Sequence, residues 1–326
     1  MRTRWWIILL LLLGSPAALA PLEVHAAAAG DPVAIVTEVK AGQGDVRVKA
    51  AGEADWKMPL PLLSLYSGDQ VRATANAVAV LMLSGGQGTI TVSAANSPYT
   101  VQVPSGAVGQ GKSQGLIADL GRMLAGKRKD LTYVPLAVRS VKHAPLLLAP
   151  RDGKLLGPPT LEWAGSDRVR YGVRIFGPQG LVWEQGNLPK AALPYPAGAP
   201  RLPPGVLYRW VLETLDFPAQ QGQFTILPPA EAAQIHDTLN ALDPAALPGY
   251  PRNTVILIRT AFLVERELYG EAQKELQAAI AADPDEPSLH VMLGRVHERV
   301  GLVELAAEEF DEAQFLVSAP GTRQKP

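Results

Sequence analysis

A 34-residue period runs through the chain near its C-terminus. Ala272 and Ala306 are 34 residues apart, as are Leu276 and Phe310, and Ala279 and Ala313. Thr260 and Leu263 precede the first set and Pro284 closes it; Leu293, Gly294, His297 and Gly301 precede the second. Small and bulky residues recurring at this period mark stacked helical hairpins, because one hairpin cannot bury its apolar face alone. The period therefore predicts an all-α C-terminal region, with units over 253–286 and 287–320, better suited to binding another chain than to chemistry. Two units are fewer than the three such arrays usually need. They are expected to pack on the helix that begins at Pro229, on the region before it, or on a second copy.

Composition sets wider bounds. The chain has 326 residues, a formal net charge of -1, 47% hydrophobic and 19% charged residues. That suits a globular protein of two or three domains, without the basic excess of a nucleic-acid binder. Cysteine is absent, which excludes disulfides, thiol catalysis, zinc-thiolate sites and iron-sulfur clusters. Residues 1–20 read as an export signal: Arg2 and Arg4, then nine apolar residues over 5–13, then Ala18-Leu19-Ala20. A second cleavage position ends at Ala26, and an uncleaved anchor is the alternative. No later run reaches the 18 or so apolar residues of a membrane span, so none is expected beyond the signal.

Between the signal and the helices the period is that of strands. Over 31–103, alternating segments at 33–39, 46–48, 71–73, 77–83, 89–92 and 99–103 are broken by Gly44-Asp45, Ser67-Gly68-Asp69 and the glycine-rich 84–88. Residues 104–144 read as a linker with one short helix, where Leu116, Ile117, Leu120 and Leu124 share a face before Lys127-Arg128-Lys129. Over 145–227, Leu161-Glu162-Trp163, 171–176, 181–183 and 208–213 predict a small β-sandwich. Trp163, Tyr171, Trp183, Tyr208 and Trp210 are read as its core, with a sugar-stacking platform as the alternative.

Two further motifs point to chemistry only at first sight. Gly106, Gly111, Lys112 and Ser113 satisfy the phosphate-loop pattern, but no alternating strand-helix run or aspartate-ended strand follows, so no cofactor is expected there. His290 and His297 are two helical turns apart, about 10 Å, too far to share a metal whose bonds are about 2 Å.

Three resemblances follow from these residues. Residues 32–103, with Gly44-Asp45-Val46-Arg47-Val48, Trp56, Leu63, Gly68-Asp69, Val71, Ala77 and Leu81, resemble the FecR domain of bacterial envelope proteins. The strand order over 145–227 resembles fibronectin type III-like domains. The repeat over 253–320 resembles tetratricopeptide repeats, although Arg259 and Thr260 depart from pattern and no glycine stands 34 residues before Gly301; Tyr269-Gly270 is expected to serve that turn. Together they imply a multidomain all-β plus all-α protein: a FecR-like β-domain, a fibronectin-like sandwich, and helical hairpins over 229–320. The implied function is a non-enzymatic, exported envelope scaffold binding a protein partner, with peptidoglycan or exopolysaccharide binding as the alternative and nucleotide binding as a remote one. In tetratricopeptide repeats the first helix of each pair lines the binding face. The resemblance therefore implies contacts at Leu257, Ala261, Val264, Ser288, Val291, Arg295, Glu298 and Arg299.

Overall fold

The computed structural model describes residues 31–103, 145–189 and 192–318. Among the described residues two β-rich regions precede five α-helices, a mixed β and α fold. The segments read as an export signal and as a linker with a phosphate-loop pattern, and residues 319 and 320 of the second repeat, lie outside the described residues.

The first region contains β1 (Ala34–Lys40), β2 (Val46–Lys49), β3 (Ser64–Leu65), β4 (Gln70–Ala73), β5 (Val78–Leu83), β6 (Thr89–Val92) and β7 (Tyr99–Thr100). They form two antiparallel sheets, ordered β3-β1-β5-β6 and β2-β4-β7. Val36, Val46, Val48, Leu65, Val71, Leu81 and Val92 fill the core between them. In the β5–β6 turn, Gly85, Gly86 and Gly88 take φ of 72°, 69° and 91°, a left-handed conformation cheap only for glycine.

β1 departs from the alternation expected of a strand with one wet face. All its residues except Lys40 are buried. One face lies on the β core; the other joins the helices, where Ile35, Leu62 and Met82 enter the helical core.

The second region contains β8 (Leu146–Ala149), β9 (Gly153–Leu155), β10 (Thr160–Ala164), β11 (Tyr171–Gly177), β12 (Gly180–Leu188), β13 (Leu193–Pro194), β14 (Leu207–Glu213) and β15 (Gln220–Ile226). A three-stranded sheet, β13-β10-β8, and a five-stranded sheet, β12-β11-β14-β15-β9, share one core. β9 runs parallel to its neighbour, β15. Trp163, Tyr171, Tyr208, Trp210 and Phe224 are buried there, and the Trp210 Nε1–H donates to the Pro150 carbonyl at 2.8 Å.

The helices are α1 (Pro229–Ala241), α2 (Arg252–Glu265), α3 (Tyr269–Ala282), α4 (Pro287–Arg299) and α5 (Val303–Ser318). α2 and α4 are buried on nearly every side, the pattern of central helices. α3 and α5 bury only a stripe, Ala272, Leu276 and Ala279 in one and Ala306 and Ala313 in the other. Ala232, Ile235, Leu239 and Leu242, on and just after α1, join this core. The hairpins therefore rest on the Pro229 helix, as expected, and on β1 as well, which was not expected.

The two inter-helix turns are the same motif 34 residues apart. In the first, Leu268 N–H donates to Leu263 O and Glu267 N–H to Val264 O. In the second, Leu302 N–H donates to His297 O and Gly301 N–H to Glu298 O. This is the Schellman pattern, whose C′ residue is left-handed and usually glycine. Gly301 has φ of 74°, and Glu267 occupies the same place at 61°. The expectation that Tyr269-Gly270 makes the first turn is corrected: Gly270 lies inside α3, and a non-glycine residue takes the left-handed position.

The other departures also have physical reasons. A Cβ on Gly294 would stand 2.5 Å from the Phe310 ring, so the large ring requires glycine opposite. In the first hairpin the corresponding pair is Thr260 and Leu276; the smaller Leu leaves room for Thr260, whose hydroxyl donates to the Ile256 carbonyl at 2.7 Å. Arg259 forks onto Glu275 of α3 at 2.5 and 3.0 Å and donates to the Leu239 carbonyl at 2.5 Å, tying α1 to the hairpin.

Candidate functional site

The most polar buried junction lies where β1 meets the N-terminal ends of α2 and α4. A β-bulge interrupts the β1–β5 register between Val36 and Glu38. Bulges re-aim side chains, and here the consecutive residues Thr37 and Glu38 both face the helices. The Thr37 and Thr254 hydroxyls are 2.9 Å apart. Glu38 Oε1 accepts from the Thr254 hydroxyl at 3.0 Å and from its backbone N–H at 3.2 Å.

Glu286 closes the other side. It is the residue before α4, and its carboxylate accepts the Ser288 N–H at 3.1 Å. It also accepts the Val39 N–H of β1, at 3.3 and 3.4 Å to its two oxygens. At the rim Lys40 and Asn253 both donate to Asp283, at 3.0 and 2.7 Å. Farther along, the Tyr250 hydroxyl accepts the Gly88 N–H at 3.0 Å and donates to the Gly86 carbonyl at 3.1 Å, holding the glycine turn.

Burial decides the charge states. Glu286 is fully buried, and burial, with nearby Glu38, pushes its carboxyl up to about 8 against the pull of its bonds to Ser288 and Val39. Burial also holds Glu38 above the usual carboxylate range, opposed by Thr254 and Lys40. Two neighbouring buried carboxyls that resist ionising could mark proton chemistry. Glu286 is engaged by N–H groups of β1 and α4, and Glu38 by the hydroxyl and N–H of Thr254, which fits a structural clasp better than an open acid–base pair.

Of the eight expected contact residues, Leu257, Ala261, Ser288 and Val291 are buried, and Leu257, Ala261 and Val291 belong to the shared core. Val264 and Arg295 are half-buried, and Glu298 and Arg299 are exposed. The face expected to be open is thus partly covered by the chain itself. Gly106, Gly111, Lys112 and Ser113 lie outside the described residues.

His290 Nδ1 contacts Glu309 at 2.7 Å and Nε2 contacts the Pro284 carbonyl at 3.1 Å. Burial opposes its charge, but these two bonds hold it above its ordinary value. Among the described residues no three His, Cys, Asp or Glu side chains gather to hold a metal ion, and no helix is long and apolar enough to cross a membrane. Trp163 packs on Tyr171 with ring centres 5.8 Å apart, and half-buried Trp183 lies edge-on to Tyr195. Four of the five aromatics read as core or platform are therefore interior, and Trp183 alone has a partly open ring.

Thr37, Glu38, Thr254 and Glu286 were not singled out from the sequence. The available signal was polarity inside otherwise apolar runs: Thr-Glu within β1 and Asn253-Thr254 at the head of α2. The chain matches no family model and no curated protein.

Proposed function

We propose that the protein is an exported, non-enzymatic scaffold of the cell envelope, built from a FecR-like β-domain, a fibronectin-like sandwich and tetratricopeptide-like hairpins, that holds a protein partner on its helical region. The observation that carries this reading is the clasp. The hairpin face receives an extended strand through backbone and side-chain bonds, and it does so with the chain's own β1. A partner then meets the uncovered rim, where Val264, Arg295, Glu298 and Arg299 stand. The paired Schellman turns at Glu267 and Gly301 support the tetratricopeptide-like reading. The Tyr208 hydroxyl, donating back to the Pro203 carbonyl at 3.1 Å, supports the fibronectin-like one, since such sandwiches use a tyrosine corner.

Cross-linking of the full chain in envelope preparations, with mass-spectrometric mapping, tests the reading. Partner cross-links should cluster on α4 and its rim, and Glu298→Ala with Arg299→Ala should weaken capture without lowering thermal stability. Capture unchanged by these substitutions, or cross-links confined to the β-regions, would overturn it.

A further inference from the structure

The outward face of the sheet β2-β4-β7 carries an arrangement that the clasp does not use. Val46, Val48, Val71 and Ala73 point into the core, so Arg47 and Lys49 on β2 and Gln70 and Arg72 on β4 point outward. The register places Arg47 directly opposite Arg72, and Lys49 opposite Gln70. Like charges facing each other across strands are unfavourable, so something must compensate them.

Within the chain the compensation is incomplete. Asp45 contacts Arg47 at 2.7 Å; the bond from Arg47, then that from Thr74, holds its carboxyl below the usual range. Glu53 pairs with Lys57 at 2.7 Å. Asp45 also feels the charge of Arg72, but among the described residues no carboxylate forms an ion pair with Lys49 or Arg72. What they share is the half-buried Trp56 ring, with Arg72 Cζ 4.7 Å and Lys49 Nζ 5.2 Å from its centre. Among the described residues the buried Arg72 Nε has no hydrogen-bond partner. Cation–π contact orients these groups without neutralising them.

We propose that this face binds an acidic polysaccharide, with Arg47, Lys49 and Arg72 contacting its carboxylates and Trp56 holding the cations in position. Arginine suits this ligand because its planar fork matches a carboxylate. The surface is a sheet face, and the backbone positions that carry the cations are about 5 Å apart across strands and about 7 Å apart along one. That layout fits an extended chain carrying regularly spaced charges. A polysaccharide is favoured over a nucleic acid because the one ring at this face, Trp56, is half-buried and occupied by Arg72 and Lys49, so it gives no row of open rings for successive bases to stack on. The site is separate from the helical rim, so each reading can fail without the other.

Titration calorimetry of the full chain with polygalacturonate, neutral dextran, single-stranded DNA and acidic phospholipid vesicles tests the proposal. Polygalacturonate alone should bind, and binding should weaken at least about threefold between 50 and 200 mM salt as the Debye length shortens. Lys49→Gln and Arg72→Gln should each weaken it at least about threefold. Lys49→Gln serves as the second variant should Arg72→Gln lower the melting temperature. Equal binding of dextran, stronger binding of DNA or vesicles, no binding of polygalacturonate, or Lys49→Gln binding like the parent protein would overturn the proposal.

Discussion

Replacing Glu286 by glutamine tests whether the clasp is neutral at its centre. In the folded chain the Glu286 carboxyl is pushed from 4.5 up to about 8, first by burial and then by Glu38. A raised carboxyl stabilises the fold fully below its unfolded value, and that contribution is lost as pH rises through the folded value. The window therefore runs from pH 4.5 to about 8. At about 1.4 kcal/mol per pH unit the full displacement is on the order of 4–5 kcal/mol. Glu38 is raised as well and steepens the loss in the same direction. Glutamine keeps an oxygen for the Val39 and Ser288 N–H groups and cannot ionise. Urea denaturation from pH 5 to 8.5 should show the parent protein losing stability across this window and Glu286→Gln losing much less, so the two curves cross and the variant is the more stable above pH 7. The nearby charges Lys40, Asp283 and Glu38 are common to both proteins, so the difference reports Glu286. A variant with the parent's pH slope, or one less stable at every pH, would refute a neutral clasp.

Three further outcomes follow from the geometry. Glu267→Gly should raise stability by about 1 kcal/mol by relieving a left-handed non-glycine residue, less the small contribution of the exposed pair with Lys154; Gly301→Ala should lower it by about the same amount, both read by thermal denaturation. Gly294→Ala should cost about 1–3 kcal/mol through its clash with Phe310, and adding Phe310→Leu should recover part of it, because that pairing resembles Thr260 with Leu276; no recovery would count against size matching. Trp163→Ala should cost about 3–5 kcal/mol, read by urea denaturation, as befits a core side chain; a neutral substitution would reopen the platform reading.

The order of β-rich regions before helices was legible because period 2 and period 3.6 are local properties of sequence. The repeat was legible for the same reason: Ala272 and Ala306 answer to the same packing position. The first turn was not, because its requirement is a backbone angle, and Glu267 meets that angle without glycine's sequence mark. β15 was missed since Gln220, Gln221 and Gln223 interrupt the apolar pattern, although Phe224 and Ile226 are buried. The clasp was illegible for a different reason. Glu38 and Thr254 are 216 positions apart, and a bulge at Thr37 gives two successive residues the same outlook. Neither leaves a periodic trace.

That separation has a consequence for how the chain is made. β1 is among the first described segments to leave the ribosome, whereas the helices that cover its second face come more than two hundred residues later. Until then Ile35, Met82 and the unpaired Glu38 face solvent on a nascent domain, the kind of surface that invites association with other incomplete chains. α2 meets the mirror problem: buried nearly all round, it has no wet face of its own. Chains cut between the β-rich regions and the helices should therefore yield two sticky fragments, and mixing those fragments should restore solubility to both.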